Sequence, residues 1–310
     1  MSHLITFENF EKVFKNNKIG PINFKVRKGK VLGLLGDSGS GKSVLINSLI
    51  GTIKKFKGNI NVDNVSRKSR HYYKINSKIG FYVQMDFSLY EISAYKYLLN
   101  MCIIFGINSN EAKRRVEHWL TFFDLWESKN KKLKDFSWGM KNRINLIMCF
   151  IKEPEILILD EPGANLDSVW RNRVKNLLIK YTNEGKTIII TAHNIDEIAD
   201  IIDDYVVLES GNKIFEGSKE ELDIYSKFKI FIKDSFDIVS FRKFLSEKNI
   251  KSFKYDENEN SLVVSIKDYK QLNYLIVYLI KNLLLLENLV KLPVNIEAIN
   301  KAIESKKNTE

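Results

Sequence analysis

The chain has 310 residues, of which 44% are hydrophobic and 28% charged, and carries a formal net charge of +11. That length accommodates one large or two ordinary domains, and the balance of apolar and charged residues excludes a chain disordered throughout, leaving disorder to the Lys- and Asn-rich tail after Glu304. The positive charge suits phosphate in a nucleotide, a nucleic acid or an anionic membrane face without selecting one of them, and Lys and Arg are scattered along the chain as on a solvated surface.

Residues Met1 to Phe14 show no charged start followed by an apolar core and a small-residue cleavage site, so no secretory signal is expected. From Leu4 to Val62, short mixed runs separated by Gly20, Gly29 and Gly58 predict several strands. One helix interrupts them at about Gly41 to Ile50, where Val44, Leu45, Leu49 and Ile50 recur at helical spacing and Gly51 ends the run. The pattern is helical from Ser88 to Phe150, through Tyr97, Leu98 and Met101 and then Val116, Trp119, Leu120 and Phe123, which predicts an inserted helical subdomain at about 86–150.

Strand and helix signals alternate from Ile156 to about Leu222, as in a parallel sheet with crossover helices. A separate small α+β domain is expected over 223–310. Its predicted order is strand (Lys229 to Ile232), helix (Phe241 to Lys248), strands (Ser252 to Asp256, Ser261 to Ile266), helix (Tyr269 to Asn282), strand (Leu289 to Leu292) and a final helix (Ile296 to Glu304). Asn273, Lys281, Glu287 and Lys291 interrupt the apolar stretch from Leu272 to Leu292, which therefore reads as a buried helix and a strand and not as a span of about 20 apolar residues. Cys102 and Cys149 stand in no CxxC or metal-ligand spacing and suit a reducing cytosol as buried thiols.

Gly36-Asp37-Ser38-Gly39-Ser40-Gly41-Lys42-Ser43 satisfies GxxxxGK[ST], follows the apolar run Val31 to Leu35 and opens the helix that contains Val44. Glycines in such a loop turn backbone N–H groups inward around a β-phosphate, and the helix start adds positive potential. Lys42 would reach the β- and γ-phosphates and the Ser43 hydroxyl would ligate magnesium, which makes ATP and Mg2+ the expected cofactors.

Ile156-Leu157-Ile158-Leu159-Asp160-Glu161 is a buried-strand pattern ending in two acids, whose burial needs a cation or a reaction. Ligands gather at the carboxyl ends of parallel strands, so Asp160 is expected beside the glycine loop as a magnesium residue and Glu161 as general base for an attacking water. Another buried run, Thr187 to Thr191, delivers Ala192 and His193 to the same edge, where His193 can contact the γ-phosphate.

Over roughly residues 4–222 the order and spacing of these motifs resemble the ATP-binding subunits of ABC transporters. The resemblance implies a P-loop NTPase fold of the ABC ATPase type. That fold has a parallel core sheet, an N-terminal antiparallel β subdomain and an inserted helical subdomain, here followed by the small α+β domain. It makes Gln84 the glutamine that senses γ-phosphate and magnesium. Phe136-Ser137-Trp138-Gly139-Met140 is similar to the LSGGQ signature, with Trp138 in place of the first glycine and Met140 in place of the glutamine. Ser137 and Gly139 would meet the nucleotide bound by the opposite subunit. Ala164-Asn165-Leu166-Asp167 resembles the D-loop, with Asp167 near the dimer interface, and Phe14 stands either where the family stacks an aromatic on adenine or in the core.

The resemblance implies an ATP hydrolase that closes on two ATP molecules with a second copy or a paralogue. It would drive separately encoded membrane-spanning permease subunits from the cytoplasmic face of the membrane. The signature and the C-terminal domain look like those of drug, bacteriocin or polysaccharide exporters. Direct nucleic-acid binding is not expected. A soluble ABC-type ATPase acting on ribosomes or DNA, and a hydrolysis-poor partner in a heterodimer, stand as alternatives, and nothing in the chain names a cargo.

Overall fold

The computed structural model describes residues 2–163, 166–191, 198–218, 221, 226–233, 237–266, 269–292, 299 and 303. The chain divides into two compact units, Met1–His193 with Glu197–Lys219, and Asn194–Asp196 with Glu220–Glu310.

In the first unit the chain runs through β1 (His3–Val13), β2 (Lys18–Arg27), β3 (Val31–Gly36), α1 (Lys42–Ile50), β4 (Lys57–Val62), β5 (Val65–Ser66), α2 (Tyr73–Lys78) and β6 (Ile79–Tyr82). It continues through α3 (Ala94–Ile104), α4 (Ser109–Phe122), α5 (Trp138–Phe150), β7 (Ile156–Asp160), α6 (Ser168–Asn183), β8 (Thr187–Thr191), β9 (Asp204–Glu209) and β10 (Asn212–Ser218). β2-β1-β4-β5 form an antiparallel sheet, and β10-β9-β3-β8-β7-β6 form a second sheet in which only β10 runs antiparallel to its neighbour.

Every residue of β3 and β8 is buried, which is why these strands read as unbroken apolar runs with no alternation. Ile5, Phe10 and Ile22 of the antiparallel sheet share one core with Leu45 and Leu49 of α1 and with Ile158 and Ile189 of the parallel sheet. Each such side chain, removed from water, contributes roughly 1.5–3 kcal/mol before chain entropy is counted. Arg27 on β2 also grips Asp204 on β9 with two bonds of 2.6 Å, a fork that pins the two sheets to one another.

Helices α3, α4 and α5 each begin on a side-chain cap, with Ser93, Asn108 and Ser137 accepting from the N–H of Lys96, Glu111 and Met140. Trp119 of α4 stacks on Phe150 of α5 at 5.4 Å, so this helical layer has its own aromatic core.

The second unit runs β11 (Ser226–Ile232), α7 (Ile238–Glu247), β12 (Lys251–Asp256), β13 (Ser261–Ile266), α8 (Tyr269–Lys281) and β14 (Leu286–Leu292). Its four strands lie in the order β12-β13-β11-β14 and all neighbours are antiparallel, the split β-α-β arrangement. Ile230, Ile232, Leu262 and Val264 meet Phe241 and Leu245 of α7 and Leu275 and Leu279 of α8 in one core. Several details differ from expectation. β11 begins at Ser226 and not Lys229, α7 at Ile238 and not Phe241, and the last strand at Leu286 and not Leu289; α8 is buried on one side only, because Ile276, Val277 and Ile280 face outward. Apolar residues all round a helix read alike in sequence whether or not this chain covers them. Of the expected final helix only Ile299 and Ile303, both helical and buried, are described; the rest lies outside the described residues.

Candidate functional site

The glycine loop leaves the buried strand β3 at Gly36 and enters α1 at Lys42. Gly36 has φ 146°, and a Cβ there would stand 2.3 Å from the Leu208 carbonyl oxygen and 2.5 Å from Ser40 Oγ, so only glycine allows the chain to turn this close to β9. Gly41 caps α1 in a left-handed conformation and Gly39 lies in open space. Asp37, Ser38 and Gly39 are exposed, Ser40, Gly41 and Lys42 are buried, and Val44 is half-buried against the core.

Lys42 folds back on its own loop, donating to the carbonyls of Gly36 at 2.6 Å and Asp37 at 3.0 Å. Burial pulls its ammonium below the usual lysine range, against the opposing pull of Glu161, Asp160 and Asp37. The loop thus holds a partly desolvated cation on two neutral carbonyls, a state that an anion in the loop would relieve.

The carboxyl end of β7 brings the acids to this loop. Asp160 accepts from Thr191 Oγ1 at 2.6 Å and from Ser43 Oγ at 3.4 Å. Glu161 follows with φ 54°, a left-handed backbone that turns it off the line of Asp160. Its N–H is shared between Thr191 Oγ1 at 3.0 Å and the Thr191 carbonyl at 3.3 Å. Thr191 at the end of β8 therefore positions both acids, a role not read from the sequence, where its only signal is a hydroxyl closing an apolar strand. His193 lies outside the described residues.

The residues present fit a magnesium nucleotide. Ser43 and Asp160 supply hard oxygen donors of the kind magnesium selects. Ser40 Oγ, buried within the loop, has no hydrogen-bond partner among the described residues, and Gly39 leaves the exposed part of the loop bare where phosphate would approach.

Gln84 is exposed just past β6, the neighbour of β7. Its segment is tied to α5 on both sides: Tyr82 Oη donates to Asn142 Oδ1, and Asn145 Nδ2 donates to the Met85 carbonyl at 3.4 Å. These ties also escaped the sequence reading, since an asparagine inside a helix carries no signal of a partner some sixty residues earlier. Ser137 caps α5 and Gly139 lies in its first turn with nothing near its Cβ position, while Trp138 between them is 64% exposed. Asp167 caps α6 by accepting from Trp170 N–H at 2.9 Å; Ala164 and Asn165 before it lie outside the described residues. Phe14 is 42% exposed with Lys12 Nζ 5.3 Å from its ring centre, so it is not a core residue. The structure thus brings the glycine loop, Asp160, Glu161 and Thr191 together, and sets Ser137, Gly139 and Asp167 at two separate helix starts.

Comparisons with known proteins agree with this arrangement. The sequence profile of the family described as ABC transporter matches residues 19–164. The chain is 32% identical over 223 residues to the linearmycin resistance ATP-binding protein LnrL of Bacillus subtilis (strain 168), covering 71% of this chain and 70% of that protein. It is 31% identical over 232 residues to the energy-coupling factor transporter ATP-binding protein EcfA2 of Lactobacillus gasseri, covering 70% and 80%. Among solved structures, CbiO1 of Clostridium perfringens, part of the ABC transporter complex CbiONQ, superposes with a TM-score of 0.61 at 27% identity, covering 72% of this chain and 91% of that one.

Members of this family bind ATP, use Mg2+ in hydrolysis, dimerise and pair with membrane permease components. No described helix here is long and apolar enough to cross a membrane. A phosphate loop ending in Lys42 and Ser43, faced by Asp160 and Glu161 on the fold of an ABC ATPase cassette, makes this chain a member of the family of ABC transporter ATP-binding proteins.

Proposed function

We propose that this chain hydrolyses ATP as one half of an ATP-bridged dimer at the cytoplasmic face of a membrane and drives export through separately encoded permease subunits. The observation that carries it is the joining of Lys42, Ser43, Asp160 and Glu161 at one rim of the parallel sheet. Lys42 would leave the Gly36 and Asp37 carbonyls for the β- and γ-phosphates, regaining a charged partner. Ser43 and Asp160 would hold magnesium, which when bound neutralises charge on the phosphate oxygens. Glu161 would take the proton of the attacking water while the bond from the γ-phosphorus to the bridging oxygen breaks, leaving ADP and phosphate. Ser137 and Gly139, at a helix N-terminus, would cover the γ-phosphate of the partner's nucleotide. Gln84 and His193 would sense the γ-phosphate, Asp167 would lie at the dimer interface and Phe14 would stack on adenine.

Coupling to the permease is supported by the tie between the Gln84 segment and α5. Beside that tie lies a cleft of 350 Å³ whose lining includes Ile50, Phe81, Val83, Met85, Phe105 and Met148, an apolar seat for a segment of a membrane subunit. Export follows the relative named for linearmycin resistance. The energy-coupling factor relative matches at 31% identity and keeps import as the second reading.

Two inactive variants test the shared site. Lys42→Ala removes the grip on the chain's own nucleotide, and Ser137→Asp keeps a capping oxygen on α5 while setting a carboxylate against the partner's nucleotide. Each alone should hydrolyse ATP at background. Co-expressed in equal amounts, they should recover roughly a quarter of normal activity, since random pairing leaves one intact composite site in every mixed dimer. Background activity in the mixture would overturn the shared-site reading.

A further inference from the structure

A cleft of 710 Å³ opens in the first unit between α4 and α6, lined by neither the phosphate loop nor the two helix starts that carry Ser137 and Asp167. Its size is that of a small-molecule site. Trp119 and Phe122 of α4 and Tyr181 of α6 give it an aromatic floor. Phe150 of α5 stands behind that floor, with its ring centroid 5.4 Å from Trp119 and 5.2 Å from Tyr181. Phe123 at the end of α4 also stacks on Trp170 of α6 at 5.7 Å, so these rings tie both helices into one core and the floor is already in place.

Two polar atoms of the floor have no use within the chain. Trp119 is 5% and Tyr181 6% exposed. Buried tryptophan and tyrosine ordinarily find a partner for their polar ends. Here neither the Trp119 indole N–H nor the Tyr181 hydroxyl has a hydrogen-bond partner among the described residues. Neither is sealed in, since the fully enclosed unpartnered polar atoms among the described residues are Ser40 Oγ, Arg67 Nε and Asn145 Oδ1. Burial pushes the Tyr181 hydroxyl far above the ordinary tyrosine range, which keeps its proton in place. Both atoms are therefore donors, and what the cleft lacks is an acceptor oxygen.

The charges around the floor set the sign of that acceptor. Arg173 is taken up by Asp124 at 2.7 Å and Glu153 by Arg115 at 2.9 Å. Lys180, Lys186 and Glu184 also line the cleft and have no ion pair among the described residues, which leaves two cations against one acid. This balance suits a single negative charge. A nucleoside triphosphate would bring several charges toward Glu153 and Glu184 and is disfavoured.

We propose that the cleft between α4 and α6 binds a small aromatic anion. Its flat body lies on Trp119, Phe122 and Tyr181. Its carboxylate or sulfonate oxygens accept from the Trp119 N–H and the Tyr181 hydroxyl, with Lys180 and Lys186 as counter-charges. The site is distinct from the nucleotide site and does not rest on the transport reading.

Fluorescence titration of the full chain with 1-anilinonaphthalene-8-sulfonate tests it. Saturable binding to a single site is expected at about 10 µM; its absence would overturn the proposal. Tyr181→Phe keeps the ring and removes only the hydroxyl, and Trp119→Phe removes the indole N–H. Each should weaken the probe by about fivefold or more. Lys180→Glu and Lys186→Glu should each weaken it by about threefold or more. The uncharged counterpart N-phenyl-1-naphthylamine should bind about tenfold more weakly than the sulfonate. Thermal melting shows whether each variant is folded, and Tyr181→Phe, which loses one oxygen, keeps the test open if Trp119→Phe is not. Unchanged affinity in folded Tyr181→Phe and Lys180→Glu chains, or equal affinity for the two probes, would overturn the site. Saturating ATP should leave the sulfonate bound, and its displacement by ATP would place the probe in the phosphate loop and contradict the proposal.

Discussion

Glu161→Gln is expected to bind ATP within about twofold of the unaltered chain and to turn it over about a hundredfold or more slowly. The amide has the volume of the carboxylate and leaves unchanged the backbone bonds from the Glu161 N–H to Thr191. It lacks the basic oxygen that would accept a proton from water. Binding and chemistry therefore separate, and ATP should accumulate in a closed dimer. Titration calorimetry gives the first quantity and single-turnover hydrolysis the second. Normal turnover would remove Glu161 from the role of base and leave its left-handed backbone, φ 54°, without a chemical purpose.

Lys42→Ala is expected to fail one step earlier. The ammonium sits within reach of two carbonyls of its own loop, with Asp160 and Glu161 adding negative potential, and burial has already removed part of its water. Charge-assisted hydrogen bonds contribute roughly 1.5–3 kcal/mol each, so losing two to phosphate should weaken ATP binding by a hundredfold or more. The fold should survive, because the lost partners are carbonyls at the mouth of the loop and the substitution also removes a desolvated cation. Calorimetry with ATP, alongside thermal melting without it, separates these effects. ATP affinity near normal would place the phosphates elsewhere.

The phosphate loop is legible in the sequence because its requirements are local: Gly36 must turn beside β9, and Lys42 must follow within the same loop. Asp160 and Glu161 are legible because charge after four buried apolar residues is costly without a use. What was not legible depends on distant parts of the chain meeting. Thr191 holds Asp160 across 31 positions, and Tyr82 and Asn145 tie the Gln84 segment to α5 across 60. No spacing rule connects such pairs, and only the sheet order β8-β7-β6 brings them together.

The second unit shows the same limit from the other side. Alternation and helical spacing locate its strands and helices to within a few residues, yet the leucine-rich run from Leu283 to Leu286 looks like core in any linear reading. The structure puts these leucines mostly outside, at an edge where the chain itself supplies nothing to cover Leu283 and Leu285 among the described residues.

The most direct measurement of the central claim is an experimental structure of the Glu161→Gln chain with ATP and magnesium. It should show two chains with each γ-phosphate between Lys42 of one copy and Ser137 of the other, and Ser43 and Asp160 on the magnesium side. A nucleotide bound by Lys42 in a chain whose partner's Ser137 lies far from the γ-phosphate would contradict the shared-site account.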